Sequence, residues 1–172
     1  GTQLSARAIG LASAAGLTQA LVSLRPRIGV LSTGDELVSP GTIPGPGQII
    51  SSNASFLRGF MAASGAEVVD LGIVPDTSGA MLSRVRSAKN LDLVVTTGGA
   101  SVGVHDHIVS DLNDSGGSSL NFWKIAMRPG KPLISGTVDG IPLIGLPGNP
   151  VSTAICALVF LRPAIAHMTR DS

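Results

Sequence analysis

Leu91-Asp92-Leu93-Val94-Val95-Thr96-Thr97-Gly98-Gly99-Ala100-Ser101-Val102-Gly103 decides the fold. Its β-branched core carries no polar alternation, as in a strand covered by other layers on both faces. The run passes straight into glycines, and a helix is expected beyond them near Ile108 to Leu112. Working back toward the N-terminus, the same grammar repeats. Glu67-Val68-Val69-Asp70-Leu71 reads as a strand, followed by a helix opened by Thr77 or Ser78 and running through Met81, Leu82 and Val85. Ile28-Gly29-Val30-Leu31 reads as another, entering the polar turn Ser32-Thr33-Gly34-Asp35-Glu36. The segment Val38–Gln48 holds three prolines and three glycines, and a helix follows it, capped by Ser52 or Asn53 and ended by Gly65. Its apolar face is Phe56, Leu57, Phe60 and Met61.

Toward the C-terminus, residues 120–127, 132–138 and 141–146 read as extended. Asp139-Gly140 is the strongest hairpin signal in the chain, and this hairpin is expected toward one sheet edge. Asn149-Pro150, a cap followed by proline at the first helical position, opens a last apolar helix reaching Ala166. Strand and helix in strict alternation predict right-handed βαβ units and a mostly parallel α/β sheet. Residues 1–26 stand apart as a leader. They contain a helix begun by Ser5 and stopped by Gly16, an extended piece at Gln19–Leu24, and the break Arg25-Pro26. The leader reads either as the tail of an upstream domain or as an ordinary N-terminal helix packed on the main domain, residues 27–172.

Composition narrows the function. The chain has 172 residues, 44% of them hydrophobic, enough for a real core and against global disorder. Lys+Arg at 12 against Asp+Glu at 11 leaves a formal charge of +1, too little for nucleic-acid binding by counterion release. Aromatic content of 3% gives no stacking platform for single strands. The single cysteine, Cys156, excludes an internal disulfide, and no uninterrupted apolar run has membrane-spanning length. A soluble, reduced cytoplasmic setting is the expectation. Gly 22 and Pro 11 make up about a fifth of the chain, against ~12% in average usage, and they cluster between the apolar runs. Function is therefore sought in the loops, and in parallel sheets those past the strands' carboxyl ends form the ligand crevice.

Those loops suit an anion. Thr97, Gly98, Gly99, Ser101 and Gly103 offer inward amides and hydroxyls, although a glycine turn can also serve chain reversal alone. The Walker and dinucleotide glycine spacings are both missing. Pro147-Gly148-Asn149-Pro150-Val151-Ser152 leads into a helix N-terminus that either meets an anion or is simply capped. Lys124, Arg128 and Lys131 place cations around the turn Arg128-Pro129-Gly130-Lys131-Pro132, unless they are plain surface charge. Asp35, Glu36, Asp76 and Asp106 all fall just past strand ends, where carboxylates hold a divalent ion against phosphate, move protons, or cap turns. His105 and His107, beside Asp106, read as surface histidines.

Taken in order, Ser32-Thr33-Gly34-Asp35-Glu36-Leu37, Ser52-Asn53, Thr97 to Gly103 with Asp106, Phe122-Trp123-Lys124, Arg128 to Pro132 and Gly145 to Ser152 resemble the molybdopterin molybdenumtransferase family (MoeA/gephyrin type). The resemblance runs from about Gly1 to Pro163 and corresponds to that family's molybdopterin-binding catalytic domain. It implies a three-layer α/β/α sandwich with a mostly parallel central sheet. It further implies insertion of molybdenum from molybdate into adenylylated molybdopterin with release of AMP, a divalent ion such as Mg²⁺, and a homodimer in the full-length protein. Carried over by motif position, Glu36, Asp76 and Asp106 sit at the metal and phosphates, and Lys124, Arg128, Lys131 and Ser152 face anions and molybdate. Glu36, Asp76, Asp106, Lys124 and Arg128 form the implied catalytic set. The substrate contacts implied are Thr33, Gly34, Asp35, Ser52, Asn53, the Gly98–Gly103 loop with Thr97 and Ser101, Lys131, Pro132, Pro147, Gly148, Asn149 and Ser152.

The chain departs from the pattern at Arg128, where the family usually has lysine; the charge is kept but a point donor becomes a planar fork. Val104-His105 also stand where an acidic residue is common. The domains that complete the family's cleft are not in this chain, so the expectation is partial substrate binding and slow or no turnover alone. Two other readings compete. One is the adenylylating sister enzyme of the same fold, which ATP-dependent adenylylation would reveal. The other is a non-catalytic interaction domain, for which Asp106→Asn and Lys131→Ala would be silent.

Overall fold

A computed structural model describes residues 4–98 and 104–169, with side chains in the last stretch from His107 onward. The expectations placed on Gly99, Ser101 and Gly103, and on the His105 and Asp106 side chains, lie outside the described residues. The elements, in order, are α1 (Ala6–Ala14), β1 (Arg27–Thr33), β2 (Leu37–Val38), β3 (Ile49–Ile50), α2 (Ser52–Ala63), β4 (Glu67–Val74), α3 (Ala80–Ser87), β5 (Leu93–Gly98), α4 (Val104–Asp114), β6 (Ser118–Trp123), β7 (Ile134–Val138), β8 (Ile141–Leu146), α5 (Pro150–Cys156), a π-helical turn (Ala157–Leu161) and α6 (Arg162–Met168).

Six strands form one sheet in the order β4-β1-β5-β8-β7-β6. β4, β1, β5 and β8 pair in parallel, and β7 alone runs against its neighbours. The Asp139-Gly140 turn is present, with both residues at positive φ (49° and 82°), and β6 lies outside it as the edge strand.

Alternation along the strands splits the core in two. Ile28, Val30, Leu93 and Val95 point to one face, where Leu57 and Met61 of α2 and Cys156, Leu161 and Ile165 of the last helix cover them. Leu31, Val94, Ile134 and Leu143 point to the other, beneath Met81, Leu82 and Val85 of α3 and Ile108 and Leu112 of α4. Each such side chain contributes about 1.5–3 kcal/mol by leaving water. The result is the three-layer α/β/α sandwich. Gly29 lacks a side chain because Leu71 and Leu91 fill its place; a Cβ there would lie 2.8 and 2.9 Å from their Cδ1 atoms.

Several local expectations need correction. The residue that precedes α2 is Ser51, not Ser52 or Asn53, and its side chain makes no capping bond; Phe56 leaves the core face to stack on Phe60 with ring centroids 5.8 Å apart. Residues 19–24 form no strand, and α1 contributes no buried residue. Two short strands, β2 and β3, bracket the proline-rich segment in a small parallel pair. Residues Pro150–Met168 form one continuous helix of 19 residues with mean hydropathy 1.6, long and apolar enough by composition to cross a membrane. Here its inner face, with Cys156, Leu161 and Ile165, packs on the sheet, while Val151, Leu158 and Val159 on the outer face stay exposed.

Candidate functional site at the carboxyl edge of the sheet

Pairing register brings the functional loops together. Thr33 ends β1 opposite Val74 of β4 and Gly98 of β5; Thr97 lies opposite Leu146 of β8; Gly145 pairs with Ile134, and Ile134 with Trp123. The turn after β1, the loops after β4 and β8, the described end of β5 and the cationic connection between β6 and β7 therefore share one rim.

A cavity of about 350 Å³ opens on that rim. Glu36, Ser52, Asn53, Thr97, Gly98, Gly148 and Asn149, all expected from sequence, line it together with Ser32, Leu37, Ile49, Ile50, Ser51 and Pro150. One wall is the small β2–β3 pair, drawn back onto the rim because Ile49 N donates to Glu36 O (2.8 Å) and Ser51 N to Val38 O (2.9 Å). Ser32 and Ser51, both buried, share a 3.0 Å hydroxyl hydrogen bond. Asn53 works across the cavity: its side-chain amide donates to Thr97 Oγ1 (3.2 Å) and to Gly148 O (2.7 Å).

The helix start after β8 is a capped one. Asn149 Oδ1 accepts from Val151 N and Ser152 N, at 3.0 and 3.2 Å, so of the two expectations for this helix start it is the capped one that forms, and these amides are not free for an anion. Pro147 is buried and its carbonyl accepts the Thr153 hydroxyl; Ser152 stays half-buried at the helix start. Thr33 is 3% exposed and lies behind the rim rather than in the cavity, and the Gly34 amide donates to Val74 O (3.3 Å).

The acids gather beside the cavity. Asp76 N donates to Asp35 Oδ1 at 3.1 Å. Burial first, and then the charges of Asp35 and Glu36, push the Asp76 carboxyl above its ordinary value; a backbone hydrogen bond at Asp35 and the nearby His107 oppose this. Three carboxylates with unbalanced negative charge are the hard-oxygen donor chemistry that Mg²⁺ uses, so the residues present fit such an ion in kind. Among the described residues, no three His, Cys, Asp or Glu side chains are already gathered closely enough to hold one.

Lys124, Arg128 and Lys131 are exposed, with Pro132 half-buried, on the connection between β6 and β7, and they do not line the cavity. Lys124, at φ 67°, lays its Nζ 3.6 Å from the centre of the Trp123 ring. Lys124 N donates to Leu133 O and Ile125 N to Lys131 O, closing the base of this turn. The turn packs on α5 at Gly130, where a Cβ would come 2.8 Å from Cys156 Sγ. Burial raises the Cys156 thiol above its ordinary value, which suits a packing role.

Sequence reading quoted Ser32 within its motif without giving it a role, and passed over Ser51 and the β2–β3 wall. The signal available was the pair of apolar dipeptides, Leu37-Val38 and Ile49-Ile50, flanking the proline-rich segment.

Known proteins share this sequence pattern and fold. Residues 29–167 match the family model described as a probable molybdopterin binding domain. Molybdopterin molybdenumtransferase 2 of Mycobacterium tuberculosis is 42% identical over 165 residues, 91% of this chain and 40% of its own length. Molybdopterin molybdenumtransferase of Haemophilus influenzae is 37% identical, over 98% of this chain and 41% of its own. The crystal structure of the molybdopterin biosynthesis moea protein from Pyrococcus horikosii superposes with a TM-score of 0.88 at 31% identity, again over 98% of this chain and 41% of that one. The chain thus spans about two-fifths of the length of these relatives. Its sheet, its rim of loops and the match across residues 29–167 place it in the family of molybdopterin binding domains.

Proposed function

We propose that this chain is the substrate-holding domain of a molybdopterin molybdenumtransferase, acting on adenylylated molybdopterin and molybdate and releasing AMP. The observation that carries the reading is the rim itself. A cavity lined by hydrogen-bonding groups, the Glu36 carboxylate and an apolar β2–β3 wall lies on the same rim as the neighbouring acids Asp35 and Asp76 and a turn bearing three cations. Such a rim suits a phosphorylated pterin far better than a neutral metabolite.

In this reading the polar groups of Ser52, Asn53 and Thr97 orient the guest in the cavity. Lys124, Arg128 and Lys131 neutralise its phosphates and the incoming molybdate, with Arg128 presenting a planar fork to an oxyanion. Asp35, Glu36 and Asp76, joined by Asp106, would hold Mg²⁺, which supplies positive charge to the phosphate oxygens as the phosphoanhydride breaks. The same carboxylates keep stray anions from the site until the ion is bound.

The 1–26 segment belongs with a neighbouring domain of a longer protein, which is a cytoplasmic homodimer whose other domains complete the cleft. The test is an assay of the full-length protein supplied with adenylylated molybdopterin, molybdate and Mg²⁺. Molybdate-stimulated AMP release that is lost in Lys131→Ala supports the reading. ATP-dependent adenylylation of free molybdopterin by the same protein would point to the sister reaction and overturn it.

A further inference from the structure

Behind the acidic rim lies a second, much smaller cavity, walled by Thr33, Asp76, Met81, His107, Ile108 and Asp111. Its volume of about 10 Å³ is close to the space one water molecule needs. Two of its wall residues carry buried oxygens with no hydrogen-bond partner, Thr33 Oγ1 and Asp76 Oδ1. Buried polar atoms in native proteins are almost always paired, with protein or with ordered water. The other carboxylate on this wall is already engaged: Asp111, 5% exposed, accepts from Ser78 Oγ (2.7 Å) and Gly79 N (2.8 Å). The Thr33 hydroxyl also lies close to Gly98, where a Cβ would stand 2.2 Å from it.

We infer that this cavity is a built site for one ordered water, bridging Thr33 Oγ1 and Asp76 Oδ1. The water donates to the carboxylate and accepts from, or donates to, the hydroxyl. Thr33 thereby becomes a positioning residue for Asp76: the bridge holds one carboxylate oxygen from behind and leaves the other for the rim. Asp111 supports the same device by pinning Ser78 and Gly79, the residues that follow Asp76 in its loop, to α4. The consequence for ion binding rests on the proposed function; the water itself does not.

The test is a crystal structure of this chain at a resolution that shows ordered water, with Thr33→Val and Thr33→Ser beside it and Mn²⁺ titrations on all three. The expected map places a water at about 2.7–3.2 Å from both oxygens. Thr33→Ser keeps it; Thr33→Val loses it and turns the Asp76 carboxylate. Mn²⁺ affinity then falls by about fivefold or more in Thr33→Val and stays within about twofold in Thr33→Ser, as expected for one hydrogen bond in the ion's support. A dry cavity in the wild-type map, or an unmoved Asp76 in Thr33→Val, overturns the inference. Failure of the wild type to bind Mn²⁺ would remove the ion reading, and the wild-type map would still decide the water.

Discussion

The side-chain amide of Asn53 donates a 2.7 Å hydrogen bond to the carbonyl of Gly148, ninety-five residues further along the chain. It ties the start of α2, on one flank of the cavity, to the loop after β8 on the other, and a second bond to Thr97 Oγ1 includes the end of β5. Asn53→Ala leaves the Gly148 carbonyl and the Thr97 hydroxyl without this donor in a half-buried site. The expected cost is about 1–3 kcal/mol of stability, read by chemical denaturation. Binding of the phosphorylated guest should weaken as well, since the two flanks are no longer held at a fixed separation.

Asp76 makes the site expensive. Its folded-state carboxyl titrates above the ordinary 3.8, mainly through burial and then through Asp35 and Glu36. Between the two values the native state binds more protons than the unfolded chain, so stability falls as pH rises through that window and the penalty persists at neutral pH. Asp76→Asn is therefore expected to melt at a higher temperature than wild type at pH 7. The gap should close once the pH falls below the ordinary carboxyl value. Added Mg²⁺ should raise the melting temperature of the wild type and leave Asp76→Asn nearly unmoved. Calorimetric melts across pH, with and without the ion, check all three statements.

Gly98 and Thr33 face each other so closely that a methyl group at Gly98 would fall 2.2 Å from Thr33 Oγ1. Gly98→Ala is expected to destabilise by about 1–3 kcal/mol, the usual range for forcing a group into a filled core. In Thr33→Ala the obstructing hydroxyl is gone and only ordinary contacts, 3.4 Å and longer, remain. A double-mutant cycle should therefore show the Gly98→Ala penalty largely relieved in that background.

Much of this was legible in the sequence because period and punctuation agreed there. The runs at 28–31, 67–71 and 91–97 became β1, β4 and β5, and the Asp139-Gly140 turn formed where its dipeptide placed it. Cavity residues such as Thr97, Gly148 and Asn149 could be named from loops following strands, because a parallel sheet puts those loops on one edge. What escaped depended on distance in the chain. Nothing local marks Asn53 as a cross-strap rather than a helix cap, for its partners lie 44 and 95 residues away. Ser32 and Ser51 find each other only after the proline-rich segment has folded back. The Asn149 cap illustrates the opposite limit: an asparagine before Pro150 signals a helix start plainly, yet that same capping uses the amides an anion would need.

The leader segment gives a simple test of domain organisation. α1 has no buried residue, and Leu21 and Leu24 are as open as in an extended chain, at 103% and 87% exposure. The sheet's own ties begin later, with Glu67 N donating to Pro26 O and Asp92 N to Arg27 O. Removing residues 1–24 should change the stability of the remaining domain by no more than about 0.5 kcal/mol, the range of ordinary surface changes. A much larger loss in denaturant melts would show that the leader packs on the sandwich.

The most direct measurement is calorimetric titration of adenylylated molybdopterin into this chain, with and without Mg²⁺. Saturable binding that strengthens with the ion, and that drops in both Lys131→Ala and Asp76→Asn, is the expected result: it requires the cationic turn and the carboxylates to act on one guest. Absence of binding, or binding indifferent to the ion and to both substitutions, would contradict a shared rim and leave only a sandwich fold with a cavity of other purpose.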